Sequence, residues 1–348
     1  LAVQGKTTGL LMTPPPRVAM FSAQQYDIQS FKQHPLYEHI DLTSFETSLG
    51  PKTVSLCQNF DVLCAFVNDC LDSTILQQLS DQGVKHIALR CAGFNNVDTA
   101  AAKALGLAVS RVPAYSPEAV AEHALALIMT LNRKTHKAYN RVREGNFNLN
   151  GLLGFTLHNK KVGIVGTGHI GAALARLLSG FGCEIYCYDP YPNDALIQQG
   201  VKYTSLDTLF KDCHIISLHC PLNEQSHHLI NAESLASMRD GVMLINTSRG
   251  GLIDTHAVIE ALKKHKIGYL GLDVYEMESE LFFRDHSSEI IQDDVFERLQ
   301  TFHNVLITGH QGFFTAEALD QIAEVTLQNI LALSSGTAED SRFVVLPD

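Results

Sequence analysis

Residues 160–190 read KKVGIVGTGHIGAALARLLSGFGCEIYCYDP, and the reading of this stretch decides the fold. Val162, Ile164 and Val165 make a short apolar run of the kind that a parallel strand, buried on both faces, requires. Gly166-Thr-Gly168-His-Ile-Gly171 follows at once, and good helix formers fill 172–178. Each glycine has a mechanical role. Gly166 allows a tight turn, Gly168 lets the backbone approach a pyrophosphate, and Gly171 lets helix and strand pack closely. The start of the helix then offers N–H groups and positive dipole to phosphate. A second apolar run, from Cys183 to Tyr188, ends in Asp189, 18 residues after Gly171. An acid at that place accepts ribose hydroxyls and repels a 2′-phosphate. Glycine spacing alone is weak evidence. Strand, glycines, helix, strand and acid in this order point to a Rossmann unit that binds NAD.

The rest of the chain fits an enzyme of two α/β domains. Its 348 residues exceed one typical domain, and 45% hydrophobic with 18% charged content describes an ordinary globular protein. A net charge of −11 argues against nucleic acid or an anionic membrane as partner. No apolar run reaches the roughly 18–20 residues of a membrane span; the longest, Ala119 to Leu131, is interrupted by Glu122 and His123. The eight cysteines are scattered without metal-type spacing, so no metal site is expected, and free thiols suit a cytoplasmic location. Residues 1–16 lack the basic start and apolar core of a secretory signal and read as a tail.

Short apolar runs at 18–21, 61–67, 86–89 and 107–112 alternate with helical stretches that Asp72 and Asp98 can cap. They predict a first parallel sheet without a glycine fingerprint. Ser116-Pro117-Glu118 is a strong helix start, and the helix is expected to run to about Arg143, or roughly 40 Å at 1.5 Å per residue. It is read as an interdomain connector that also helps to form a subunit interface. Runs at 215–218, 243–245, 269–272 and 305–307 join the two already described and predict six strands for the nucleotide-binding sheet. A final helix at about 315–333 is expected to return to the first domain. The fold class is therefore α/β, with two Rossmann-like, doubly wound, parallel-sheet domains. Residues 17–116 and 312–348 are expected to form a discontinuous, flavodoxin-like substrate domain, and 117–311 the NAD-binding domain.

Ligands of open α/β sheets bind beyond the carboxyl ends of the strands. Polar motifs stand at four such ends here: Cys220-Pro221, Thr247-Ser248-Arg249-Gly250, Asp273 to Glu278, and Gly309-His310-Gln311. Hydride exchange with a carbonyl needs a proton carrier and a group that orients the substrate. His310 is the natural acid/base, since an imidazole titrates near neutrality. Glu278 is placed to accept its other N–H, and Arg249 offers a planar fork for an α-keto carboxylate.

These residues resemble the D-isomer-specific 2-hydroxyacid dehydrogenases, most closely the bacterial fermentative D-lactate enzymes, from about Arg17 to the C-terminus. The motifs are FVND (66–69), LRCAGFNNVD (89–98), RVPAYSPEAVAEHA (111–124), VGTGHIG, DPYP, SLHCPL, NTSRG, DVYE and TGHQGFF. The resemblance implies NAD-dependent reduction of pyruvate to D-lactate, with Arg249 holding the keto acid and His310, paired with Glu278, giving the proton. It implies that Ala92, Gly93 and Tyr115 help to hold the substrate. His169, Ile170, Asp189, Cys220, Pro221, Thr247, Ser248 and Asp273 would line the cofactor site with Gly166, Gly168 and Gly171. It also implies a homo-oligomer, dimer or tetramer, joined through the NAD-binding domain. One departure stands out: Gly312 replaces a bulkier small residue and is expected to loosen Phe313–Phe314. The rival readings are a relative acting on hydroxypyruvate, glycerate or a larger 2-keto acid, and an NAD-sensing corepressor of the same fold. A phosphoglycerate enzyme often carries a C-terminal regulatory domain, and none is expected beyond the final helix.

Overall fold

The computed structural model describes residues 14–335, 337–338 and 342–346. Most of the expected tail, residues 1–13, lies outside them, and by Pro16 the backbone already accepts the N–H of Asp41 at 3.0 Å. Two compact units divide the chain: Leu1–Tyr115 with Ala316–Asp348, and Ser116–Thr315.

The first unit holds a six-stranded sheet, ordered Asp41–Ser44, Arg17–Met20, Val62–Ala65, His86–Leu89, Ala108–Ser110 and Phe343–Val345. Every pair is parallel except the last, which is antiparallel. Taken in chain order, the five parallel strands run 2-1-3-4-5, the flavodoxin-like winding. Both edge strands escape the sequence reading. Asp41–Ser44 is too polar and too little buried to make an apolar run, and Phe343–Val345 is only three residues long. Ala323, Leu327 and Ile330 of the C-terminal helix pack with Val18, Met20 and Phe31 in this unit's core. Asp72 and Asp98 cap their helices by accepting the N–H groups of Ile75 and Ala101, each at 2.9 Å.

The second unit has seven strands rather than six. Their order is Lys202–Tyr203, Glu184–Tyr188, Lys161–Val165, Ile215–Leu218, Val242–Asn246, Ile267–Leu272 and Val305–Ile307, all parallel. This is the Rossmann winding, whose order reverses beside Lys161–Val165, the strand that feeds the glycine loop. The strand missing from the sequence reading, Lys202–Tyr203, is two residues long and partly exposed. Central strands such as Val242–Asn246 are buried throughout, which explains their unbroken apolar character.

The single helix expected from Ser116 to Arg143 is two helices, Pro117–Arg133 and Thr135–Arg143. Lys134 between them adopts a left-handed conformation, with φ 50°. Two local groups hold the break. The Asn132 amide exchanges hydrogen bonds with the Phe155 backbone at 2.8 Å, and Lys134 Nζ donates to the Leu153 carbonyl at 2.6 Å. The first helix buries Ala121, Ala124, Leu127, Ile128 and Leu131 against Leu174 and Leu178, whereas the second buries no residue. The apolar period ends at Leu131, and so does the packed helix.

Candidate active site

The glycine loop has the geometry that two of the roles read from its spacing require, and it leaves room for the third. Gly166 has φ +93°, and a Cβ there would lie 2.6 Å from His219 and Cys220 backbone atoms. A Cβ on Gly171 would come within 2.0 Å of the Gly166 carbonyl oxygen, so only glycine permits this helix–strand approach. A Cβ on Gly168 would meet nothing within 4 Å, which leaves open space over the loop where a pyrophosphate can approach the backbone. His169 and Ile170 form the first turn of the helix His169–Gly180, where N–H groups lack helical partners.

Asp189 ends the second strand of the unit and is tied to the glycine loop. Its Oδ2 accepts the Thr167 N–H at 2.6 Å and the Thr167 hydroxyl at 3.1 Å, while Oδ1 accepts the Tyr191 N–H at 2.8 Å. Tyr203 supports this clasp by donating its hydroxyl to Thr167 Oγ1 at 2.8 Å.

The loops at the next strand ends close round the same place. Ser248 Oγ donates to the Cys220 carbonyl at 2.8 Å, joining the loop after Ile215–Leu218 to the one after Val242–Asn246. Burial pushes the Cys220 thiol up to about 11 and the neighbouring His219 down to about 4. Both groups are thus neutral near pH 7, and Cys220 and Pro221 offer a wall rather than a nucleophile. Thr247 is buried, and its hydroxyl has no protein partner. A buried orphan hydroxyl at a strand end fits a ligand that brings its own hydrogen-bonding groups. The donor set suits NAD.

Arg249 lies on the turn after Val242–Asn246. Asn246 shapes this turn, its side-chain oxygen accepting the Ser248 N–H at 3.0 Å and its amide donating to the Arg249 carbonyl at 2.8 Å. Gly250 packs this turn directly on the next loop: a Cβ would lie 2.1 Å from the Tyr275 carbonyl carbon and 2.4 Å from the Glu276 nitrogen. The same loop carries Glu278, whose Oε2 accepts the Tyr275 N–H at 2.9 Å. Glu278 Oε1 lies 2.8 Å from Nδ1 of His310, an expected pair that the fold brings together across 32 residues. Both side chains are largely sheltered, and the Phe283 ring lies 5.7 Å from the imidazole.

His310 has φ 55°, a left-handed conformation, and Asp273 holds the chain on either side of it. Asp273, 1% exposed, accepts the Thr308 hydroxyl, the Gln311 N–H at 2.9 Å and the Gly312 N–H at 2.8 Å. His123 Nε2 stands 3.2 Å from its Oδ1. Burial opposes the charge on Asp273, yet the His123 hydrogen bond and charge, with the Thr308 and Gln311 donors, outweigh it and hold the carboxyl below its usual range. Asp273 thus spends its oxygens on the protein, as the anchor of the His310 loop. Gly312 is buried against it, and Phe313 is buried beside Gly312, so the loosening expected at Phe313–Phe314 does not begin at this glycine.

His123, Thr308 and Tyr203 were not found from the sequence. His123 had two signals, a polar breach in the apolar run 119–131 and its place in RVPAYSPEAVAEHA, and Thr308 opens TGHQGFF; Tyr203 had none.

In the first unit, Ala92, Gly93 and Tyr115 follow the strands His86–Leu89 and Ala108–Ser110 at their carboxyl ends. The Ala92 carbonyl accepts from Arg111 Nη1 at 3.0 Å, and the Arg111 guanidinium covers the Phe94 ring at 5.2 Å. Asn96 fastens the same loop by donating to the Phe66 and Asp69 carbonyls at 3.1 and 2.9 Å. The FVND and FNNVD motifs are therefore two halves of one clasp.

The family described as D-isomer specific 2-hydroxyacid dehydrogenase, NAD binding domain, matches residues 125–312. D-lactate dehydrogenase of Escherichia coli K12 is 52% identical over 320 residues, covering 92% of this chain and 97% of that protein. The apo-structure of D-lactate dehydrogenase from Escherichia coli aligns with a TM-score of 0.85 at 49% identity, over 94% of this chain and 100% of that one. The Aquifex aeolicus D-lactate dehydrogenase, solved with NAD and lactic acid, aligns with a TM-score of 0.85 at 33% identity, over 95% and 100% of the two chains.

Proposed function

The chain belongs to the D-isomer-specific 2-hydroxyacid dehydrogenase family, and from that premise we propose that it is an NAD-dependent D-lactate dehydrogenase that reduces pyruvate with NADH, reversibly. The observation that carries this reading is the His310–Glu278 pair at 2.8 Å, in the same unit as the glycine loop, with Glu278 on the loop against which the Arg249 turn is packed. NADH, when bound, supplies the hydride. Ser116–Thr315 is the unit assigned to it, with Gly166, Gly168, His169, Ile170 and Gly171 for the pyrophosphate and Asp189 for the ribose.

Arg249 binds and orients the keto-acid carboxylate, which its two-pronged guanidinium can grip in one plane. His310 Nε2 gives its proton to the carbonyl oxygen. Glu278, bonded at Nδ1, keeps the ring oriented and balances the charge of the imidazolium. In the opposite direction His310 takes the hydroxyl proton. The substrate-holding roles of Ala92, Gly93 and Tyr115 rest on the family resemblance. The comparisons favour this reading over the hydroxypyruvate, larger keto-acid and corepressor alternatives. NADH oxidation with a panel of 2-keto acids, followed by chiral analysis, tests it. Pyruvate should give the highest kcat/KM and the product should be D-lactate. L-lactate, or a better kcat/KM with hydroxypyruvate, would overturn it.

The protein is further assigned as a homo-oligomer joined through the second unit. Phe147, Leu149 and Leu153 are 74%, 79% and 86% exposed on the segment that follows the broken helix, and large exposed apolar side chains grouped in one stretch suit an interface. Leu149→Asp with Leu153→Asp should lower the mass found by sedimentation velocity, and an unchanged mass would remove this face from the interface. All eight cysteines are free, which supports a reducing cytoplasm. Among the described residues, no helix is long and apolar enough to cross a membrane.

A further inference from the structure

His227, His228 and Glu276 lie together beside the Arg249 turn, although 48 residues separate His228 from Glu276 in the chain. One ligand atom from each falls within 4.8 Å of the other two. His228 has φ 50°, and its imidazole stacks on that of His227 with the ring centres 3.9 Å apart. His228 Nε2 meets Glu276 Oε1 at 2.6 Å, and the Thr255 hydroxyl holds the other carboxylate oxygen at 2.9 Å. None of the three is needed by the reaction described above.

Two imidazoles and one carboxylate are the donor set of zinc-class ions rather than of magnesium or calcium, which prefer oxygen. Tetrahedral coordination with ligands at about 2.0–2.1 Å sets donor atoms roughly 3.4 Å apart. The His228–Glu276 contact would have to open by less than that, and the ring of His227, on the surface loop, would have to swing inwards. Thr255 would then hold the ligating carboxylate from behind, the usual arrangement for metal-bound carboxylates. Sequence spacing could not show this group, because its two halves meet only through the sheet.

We propose that His227, His228 and Glu276 form a binding site for one divalent transition-metal ion of the zinc class, and that its occupancy lowers turnover. The route to the reaction is short. His228 donates its backbone N–H to the Gly251 carbonyl at 2.9 Å, and Gly250 is packed on the Glu276 nitrogen. An ion that respaces Glu276 and the 227–228 loop therefore shifts both supports of the Arg249 turn. The activity part of the proposal rests on the reading of Arg249 as the carboxylate clamp. The binding part does not.

The experiment is a titration of the full-length, EDTA-treated protein with zinc by calorimetry and with cobalt(II) by visible absorption. The wild type should bind one zinc per chain and show a tetrahedral cobalt spectrum without a thiolate charge-transfer band. His227→Ala and Glu276→Gln should each weaken zinc binding by at least about 10–100-fold, the cost already seen when only a ligand's outer support is lost. In assays, zinc should inhibit the wild type reversibly, with EDTA restoring the rate. His227→Ala should keep the basal rate and lose the inhibition. Failure to bind one ion, a thiolate band, or unchanged affinity in His227→Ala would overturn the site. Binding that depends on the three residues without inhibition would leave the site standing and overturn its coupling to Arg249.

Discussion

Glu278 stands between His310 and its own loop: Oε1 meets the imidazole at 2.8 Å, while Oε2 accepts the Tyr275 N–H at 2.9 Å. The carboxylate is thus fixed by backbone before it fixes the ring. A histidine oriented in this way carries one defined tautomer towards the substrate.

Replacing His310 with Asn should lower kcat for pyruvate reduction by about 10²–10⁴, the range of a positioned general acid. Glu278→Gln keeps an acceptor for the imidazole N–H but removes the charge that balances the imidazolium, so kcat should fall by about 10² or more. NADH affinity, followed by fluorescence, should change little in either. If both variants lost NADH binding as strongly as turnover, the pair would be a structural contact.

Arg249 owes its place to a close approach. Gly250→Ala would drive a methyl into the Tyr275 carbonyl, where a Cβ has only 2.1 Å. The two loops must separate, at an overpacking cost of about 1–3 kcal/mol. Arg249→Lys leaves the packing alone and removes the fork. Both should lower kcat/KM for pyruvate by about 10², the order expected for misplacing a substrate by one ångström. Only Gly250→Ala should also lower the melting temperature. Near-native kcat/KM in Arg249→Lys would mean that the carboxylate is held elsewhere.

The legible parts of this molecule are those that repeat or that obey one local rule. Buried strands such as Ile215–Leu218 and Val242–Asn246 announce themselves as apolar runs. The roles of Gly166 and Gly171 follow from what a side chain would strike. Strands without that signature were invisible: Lys202–Tyr203 is too short, and Asp41–Ser44 is too polar. The kink at Lys134 depends on Asn132 reaching Phe155, a contact 23 residues away that no helical period can reveal. Asp273 shows the same limit at the site. Its place at a strand end was plain, but its partners His123, Thr308 and Gln311 come from other segments. A spacing rule marks where a loop will be, and the hydrogen bonds that set the loop belong to the folded state.

Asp273 also makes a prediction in pH. Its carboxyl is held below the usual range in the folded protein, because hydrogen bonds outweigh burial. A depressed carboxyl contributes stability that is complete above its unfolded value, about 3.9, and is lost as pH falls through the folded value. Asp273→Asn should destabilise the protein at pH 7 by about 1–3 kcal/mol, since the amide faces N–H donors with only one acceptor. The difference in melting temperature between Asp273→Asn and wild type should narrow as pH falls below about 4. A difference that failed to narrow below about pH 4 would show that the carboxylate is not what stabilises the His310 loop.

The proposed preference for NADH over NADPH rests on Asp189, whose rigidity should make the choice sharp. Thr167 donates twice to Oδ2, at 2.6 and 3.1 Å, Tyr191 donates to Oδ1 at 2.8 Å, and Tyr203 steadies Thr167. A carboxylate held by two backbone N–H groups cannot swing aside when a 2′-phosphate arrives with about −1.5 to −2 charges. At about 4 Å and an effective dielectric of about 20, two unit charges repel by about 4 kcal/mol before screening, and each 1.4 kcal/mol is tenfold. NADH should therefore exceed NADPH in kcat/KM by at least about 10². Asp189→Asn keeps an acceptor for the Thr167 N–H and removes the charge, so the ratio should drop by about tenfold or more, chiefly by a gain with NADPH. Tyr203→Phe leaves the charge and removes the outer support; its ratio should fall by less, with kcat for NADH retained. The assay is kcat/KM for both cofactors at saturating pyruvate and constant ionic strength. Equal use of both by the wild type, or an unchanged ratio in Asp189→Asn, would show that the carboxylate serves the glycine loop and takes no part in reading the ribose.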